Sequence, residues 1–189
     1  AVHRLICACI DIGSNTTRLL VADAGNGSLR ELVTQRAFTR IGRSLAETGS
    51  IPPEKIAETA EVVATQAKVA REVGAERIVA VATAAIRNAP NREQLLTAVN
   101  AAGDMALEIL SGVEEARLSF VGATRTLLSA VDGTIAVIDV GGGSSEIAVG
   151  EPDGQMAWSA SFRIGSGFLA DAYLRSDPPS VDELEKVRR

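Results

Sequence analysis

Two short runs in this chain carry the residue types that phosphate chemistry uses. Asp11-Ile12-Gly13-Ser14-Asn15 and Asp139-Val140-Gly141-Gly142-Gly143-Ser144-Ser145 each follow an apolar stretch, Leu5–Ile10 and Ile135–Ile138 respectively. Glycine lets a backbone approach a ligand closely. Successive backbone N–H groups in such a turn form an anion-binding concavity, and the hydroxyls of Ser14, Ser144 and Ser145 add donors. An aspartate beside phosphates repels them unless it holds a cation, which assigns Asp11 and Asp139 to Mg2+, directly or through water. A lone Asp-x-Gly run is also what an ordinary hairpin turn looks like. Two in matching strand contexts, one with three consecutive glycines, favour the phosphate reading.

The surrounding pattern says what must position these runs. Leu5–Ile10, Leu19–Ala22 and Leu29–Val33 read as strands, with a turn at Gly25-Asn26-Gly27. Pro52-Pro53 opens a helix whose apolar face is Ile56, Ala60, Val63, Ala67 and Ala70, and Gly74 stops it. Arg77–Ala82 and Ala106–Leu110 read as strands on either side of a helix capped by Asn91. A helix follows from Ser111 to about Leu128. The strand–turn–strand pattern then returns around Asp139, with further strand signal over Met156–Ile164, helix signal over Phe168–Leu174 and a last helix capped by Ser180 or Asp182. The repeat predicts two domains, residues 1–130 and 131–189, each built on one loop. The second holds too few elements for a large core, so the chain is expected to be part of a larger functional unit.

Composition narrows the chemistry. With 46% hydrophobic and 23% charged residues the chain is of ordinary globular type. A net charge of −5 argues against a nucleic-acid binder that works through a basic stripe. The single histidine, His3, removes Ser-His-Asp triads and histidine zinc sites. Cys7 and Cys9 lie two apart on a strand read as buried, where a disulfide would be strained, so they are expected to be two small buried hydrophobes in a reducing compartment, with a cytoplasmic protein the default. No apolar run reaches the roughly 18 residues of a membrane span.

The runs taken together resemble the exopolyphosphatase and guanosine pentaphosphate phosphohydrolase family. Asp11–Leu19 is similar to its first phosphate loop and Asp139–Glu146 to its second. Ala82-Thr83-Ala84-Ala85-Ile86-Arg87-Asn88-Ala89-Pro90-Asn91 and Leu110-Ser111-Gly112-Val113-Glu114-Glu115-Ala116 resemble two further motifs, in family order. The resemblance implies an α/β fold of the actin-like type, two lobes of mixed, ribonuclease H-like sheets with the site between them. It also implies Mg2+-dependent release of terminal phosphate from inorganic polyphosphate or guanosine pentaphosphate, with neither nucleic acid nor membrane as partner and a homodimer left open.

Roles then follow. Gly13, Ser14, Asn15, Gly141, Gly142, Gly143, Ser144 and Ser145 line the phosphate loops. Arg87, after a strand end, offers a fork suited to phosphate, and Arg18, just past the first loop, has binding and structural readings in balance. Hydrolysis needs a water aimed in line at phosphorus. Ser111 and Glu114 form a capping box that commits Glu114 to its own helix. The resemblance places the family's catalytic glutamate on the next residue, Glu115, and brings Glu146 into the site. Arg36, Arg40 and Arg43, spaced about one helical turn apart, read as a solvated face, with guidance of a polyanion as the alternative. Gly165-Ser166-Gly167-Phe168-Leu169-Ala170 fits a dinucleotide fingerprint but lacks the second strand and acid that motif requires. The competing functions are a phosphotransferase using the same loops and a noncatalytic nucleotide- or polyphosphate-binding module.

Overall fold

The opening apolar run alternates between two environments, as a strand with one covered face must. The computed structural model describes residues 4–25, 29–127 and 129–188. His3, Asn26, Gly27, Leu128 and Arg189 lie outside them. Strand β1 (Ile6–Ile12) buries Ile6, Ala8, Ile10 and Ile12 and turns Cys7, Cys9 and Asp11 the other way. β2 (Thr17–Asp23) and β3 (Arg30–Ala37) continue it as an antiparallel meander. β4 (Arg77–Ala82) and β5 (Leu107–Ile109) add in parallel on the other side, giving the order β3-β2-β1-β4-β5. β3 begins and ends later than the run Leu29–Val33 predicted for it.

The parallel crossovers are helical. α2 (Pro53–Glu72) and α4 (Arg92–Gly103) pack on each other and on one face of the sheet, joining Val63, Ala67, Ala70, Leu95 and Val99 to the buried strand residues. Gly74, at φ 92°, ends α2 as its sequence position predicts. Two short helices were not apparent from pattern, α1 (Ile41–Thr48) and α3 (Ala84–Arg87). Asn91 stands at the N-cap of α4 but does not cap it with its side chain. That amide instead pairs with both backbone groups of Ile51, at 2.9 and 2.8 Å, tying the entry of α2 to the entry of α4.

The second unit begins at Leu110. α5 (Gly112–Arg125) packs on an antiparallel sheet of β6 (Ile135–Val140), β7 (Ser145–Gly150) and β8 (Met156–Phe162). The contact is Ala116 and Phe120 against Ala148, with Ile135, Val137 and Met156 around them. The boundary expected near residue 130 therefore falls between Ile109 and Leu110, because the apolar stripe of α5 is spent on the second sheet. The unit closes with α6 (Ser166–Tyr173) and α7 (Val181–Arg188). Ser180 caps α7 in a reciprocal box with Glu183: Glu183 N donates to Ser180 Oγ at 3.3 Å, and Ser180 N to Glu183 Oε2 at 2.8 Å. Among the described residues no helix is long and apolar enough to cross a membrane.

Candidate active site

Both loops are the same turn. Gly13 N donates to Thr16 O and Gly141 N to Ser144 O, each at 2.9 Å. The aspartates are not in the turns: Asp11 and Asp139 are strand residues, one position before the last of β1 and β6. Each turn is then held from outside by the start of a helix that comes after the third strand. In the first unit Arg40 N donates to Asn15 O at 3.0 Å and Gly42 N to Ser14 O at 2.7 Å. In the second, Ser166 N donates to Gly141 O and Phe168 N to Gly142 O, both at 2.9 Å. The internal repeat thus extends past strand–turn–strand to a third strand and a helix.

Close approach explains the glycines of the false dinucleotide fingerprint. A Cβ on Gly165 would stand 2.5 Å from the Gly142 carbonyl and from Gly143 N. The run Gly165-Ser166-Gly167 is a buttress for the second loop, which its resemblance to a nucleotide motif concealed. Ser145 Oγ donates to Ile164 O at 2.5 Å, which ties this hydroxyl to the same buttress. Ser144 is buried, with its carbonyl closing the turn.

The first unit brings Asp11, the loop Gly13–Asn15, Arg18 and Arg87 to one edge of its sheet. Asp11 sits opposite Arg18 across β1 and β2. β4 is parallel to β1, so α3 and Arg87 emerge at the loop edge, where Thr83 N reaches Ile12 O at 3.3 Å. Arg87 is half-buried, with its carbonyl accepting from Arg92 Nη1 at 3.0 Å.

The second unit assembles the carboxylates. Asp139 and Glu146 are direct cross-strand partners, and Glu146 pairs onward with Ser161. Glu146 is 3% exposed and accepts from Ser161 Oγ at 2.8 Å. Asp139 Oδ2 accepts from Ser119 Oγ of α5 at 2.5 Å. Glu115 precedes Ser119 by four residues and shares its face of the helix. Ser119 sits at the loop end of the sheet, and Thr124 lies near Gly154 at the opposite end. Glu115 is therefore about 6 Å beyond Ser119 toward the loop side, at the helix end where partial positive charge favours anions.

Glu114 does what its spacing predicts. Ser111 N and Oγ donate to Glu114 Oε2 at 3.0 and 2.9 Å, and Glu114 N donates to Ser111 Oγ at 3.2 Å. The Ser111 backbone bond, then its hydroxyl, hold the Glu114 carboxyl below its ordinary range. Ser119 and Ser161 were not singled out from sequence; helical spacing from Glu115 marks the first, while the second needs the strand register. Arg36, Arg40 and Arg43 do not share a helix face. Arg36 is on β3, Arg40 precedes α1, and Arg43 pairs with Glu47 within α1 at 2.9 Å.

With this geometry in place, comparison with known proteins is informative. The model of the Ppx/GppA phosphatase family matches residues 20–189. Exopolyphosphatase 2 of Mycobacterium tuberculosis is 37% identical over 191 residues, covering 96% of this chain and 59% of the relative. The guanosine-5'-triphosphate,3'-diphosphate pyrophosphatase of Vibrio vulnificus is 31% identical over 144 residues, covering 76% of this chain and 29% of the relative. The solved structure of the Aquifex aeolicus Ppx/GppA family member aligns with a TM-score of 0.81 at 31% identity, covering 97% of this chain and 59% of that one. The chain thus spans less than two thirds of the length of these relatives. The α/β class expected from sequence is the one found, and it is the fold of the Ppx/GppA structure; the first unit's sheet is mixed as expected, whereas the three described strands of the second are antiparallel throughout.

Proposed function

The chain belongs to the Ppx/GppA phosphatase family, and from that premise we propose that it supplies the site of a Mg2+-dependent phosphohydrolase acting on terminal phosphoanhydride bonds of inorganic polyphosphate or guanosine pentaphosphate. The observation that carries this is the row of Glu115, Ser119, Asp139 and Glu146 on and beneath α5, at the loop end of the second sheet.

In the reaction, Glu115 accepts a proton from a water as its oxygen forms a bond to the terminal phosphorus. The anhydride bond on the opposite side breaks, and the electron pair leaves with the penultimate phosphate. The products are orthophosphate and a substrate one phosphate shorter. In the second unit the backbone N–H groups of the Gly141–Ser144 loop neutralise charge on phosphoryl oxygens; in the first unit the Gly13–Asn15 loop, Arg18 and Arg87 are the groups suited to the same task. Ser119 fixes the rotamer of Asp139, and Ser161 fixes Glu146 behind it.

Among the described residues no group of three or more His, Cys, Asp or Glu forms a ready-made metal cage. This suits Mg2+, which takes one or two carboxylates and completes its shell with water and substrate phosphate. Asp139, and Asp11 in the other unit, are the residues assigned to it; when bound, Mg2+ supplies charge neutralisation at the phosphates. Cys7 and Cys9 are free thiols, in keeping with a cytoplasmic setting.

Phosphate release from polyphosphate, guanosine pentaphosphate and ATP, each with Mg2+ and with EDTA, tests the proposal. Release from one of the first two in Mg2+ only, reduced by about 10²-fold or more in Glu115→Gln, is the expected result. A folded Glu115→Gln protein with undiminished turnover would remove Glu115 from its role.

A further inference from the structure

The residues that α2 buries are all apolar except Thr59 and Gln66. Thr59 satisfies its hydroxyl within the helix, on Lys55 O at 2.7 Å. Gln66 looks outward to the sheet. It is 3% exposed, its Nε2 donates to Thr17 O at 3.3 Å, and its Oε1 is buried with no hydrogen-bond partner among the described residues. Native interiors pair nearly all such atoms, and an exception calls for a reason. Stability does not supply one, because an apolar side chain of the same shape would spare the core an orphan acceptor.

The other end of the amide points to a reason. Thr17 opens β2 directly after the turn that Gly13 N closes on Thr16 O. Its hydroxyl meets that of Thr39 at 3.1 Å, and both residues are fully buried. Thr39 stands just before Arg40, and the N–H groups of Arg40 and Gly42 are the ones that hold Asn15 O and Ser14 O. A buried line thus runs from α2 through Thr17 and Thr39 to the exit of the first loop and to its buttress. The second unit repeats the middle of that line. Ser145 opens β7 as Thr17 opens β2, and its hydroxyl bonds Ile164 O, just ahead of the Ser166 N–H that steadies Gly141 O. In both units the first residue of the second strand grips the segment leading to the buttressing helix. The first unit adds an anchor on the helix beneath its sheet.

We propose that Gln66 is a positioning residue for the first loop: through Thr17 and Thr39 it sets where the start of α1 meets Ser14 and Asn15. That this loop serves phosphate rests on the hydrolase reading above; the tether does not. The task of Gln66 at Thr17 O is to donate a hydrogen bond, so a side chain of equal bulk with no donor keeps the core filled and loosens the loop.

Native-state amide exchange of the whole chain, read at Arg40 and Gly42 with the amides of α4 as reference, provides the test, alongside denaturant midpoints and Mg2+-dependent phosphate release. Gln66→Met removes the orphan Oε1 and also the donor to Thr17 O, so its midpoint should stay close to wild type. Exchange at Arg40 and Gly42 should quicken about tenfold with α4 unchanged, and kcat/KM for release should fall about tenfold. Gln66→Glu is the conservative rescue. Its protonated carboxyl donates to Thr17 O and its ionised form does not, and burial raises the pH at which it ionises. Relative to wild type at each pH, protection at Arg40 and Gly42 should be kept at the acid end and lost as pH rises through that raised value. Val99→Ala, a core change in α4, should lower the midpoint and leave Arg40 and Gly42 as they are. Unchanged exchange at Arg40 and Gly42 in Gln66→Met overturns the proposal. So does a lowered midpoint with exchange raised equally in α4, which would make Gln66 an ordinary core residue. Faster exchange at the two amides with phosphate release undiminished leaves the tether standing and takes the first loop out of the reaction.

Discussion

Gly165→Ala is the sharpest test of how the second loop is held. Gly165 has φ −132° and ψ 162°, ordinary extended backbone that alanine adopts freely. On conformational grounds alone the change would stabilise the protein by about 0.4–1 kcal/mol, through the unfolded chain. The contacts say otherwise. The new Cβ would lie 2.5 Å from the carbon and oxygen of Gly142 and from Gly143 N, all backbone atoms. Relief requires the two segments to part by roughly 1 Å, since carbon contacts settle near 3.5 Å or more. That movement stretches the bonds from Ser166 N to Gly141 O and from Phe168 N to Gly142 O, now 2.9 Å each. Two such bonds are worth about 1 kcal/mol apiece, and overpacking adds about 1–3 kcal/mol. After the conformational gain is subtracted, the net cost is about 2–4 kcal/mol. Turnover should fall about 10²-fold, the usual effect of moving a positioning group by 1 Å. Denaturant unfolding and phosphate release measure the two effects. Gly122→Ala is the control: it lies within α5 with open space where its Cβ would go, and should stabilise by about 0.5–1 kcal/mol. A Gly165→Ala protein as stable as wild type would refute the buttress.

Two further outcomes follow from single contacts. Ser119→Ala frees Asp139 from its 2.5 Å bond; stability should change by less than about 1 kcal/mol, because the site is exposed, while phosphate release falls about tenfold and needs more Mg2+ for half-maximal rate. Glu183 is held at a pKa of about 2, first by the Ser176 hydroxyl and then by the backbone N–H groups of Ser180 and Arg175. A carboxylate lowered in this way contributes stability that is present above its ordinary value of 4.5 and is lost as pH falls through about 2. Exchange protection of the Ser180 amide, compared between wild type and Glu183→Gln, should differ at pH 6 and converge near pH 2; a gap that persists at pH 2 would contradict the assignment.

The parts of the molecule that were legible in sequence are those whose cause is local. The capping box at Ser111 and Glu114, the stop at Gly74 and the two Asp-x-Gly turns all depend on residues within one turn of each other. The domain boundary was not local. The stripe of Ala116 and Phe120 announces that α5 buries a face, but nothing in the stripe says which sheet receives it. Arg36 and Arg40 show a different difficulty. Arg36 ends up on β3 and Arg40 at the N-cap of α1, so a change from strand to helix falls between them that spacing alone does not reveal. α1 escaped notice because its N-cap is an arginine in a left-handed conformation, which carries none of the usual capping signature. Ser161 became visible as a partner of Glu146 only once register was known, since β-pairing joins residues that no short window contains.

The buttressing of both loops has a consequence for the order in which the chain matures. Synthesis runs from the N-terminus at about 5–20 residues per second. The hairpin around Gly141–Ser144 closes as soon as β7 exists, yet the donor that steadies Gly141 O lies 25 residues downstream. For seconds, then, a nascent chain carries a finished hairpin whose tip lacks that outside hold, and the first loop passes through the same interval before Arg40 and Gly42 arrive. The final hold on each loop is thus acquired as a separate late event, timed by the arrival of a helix start.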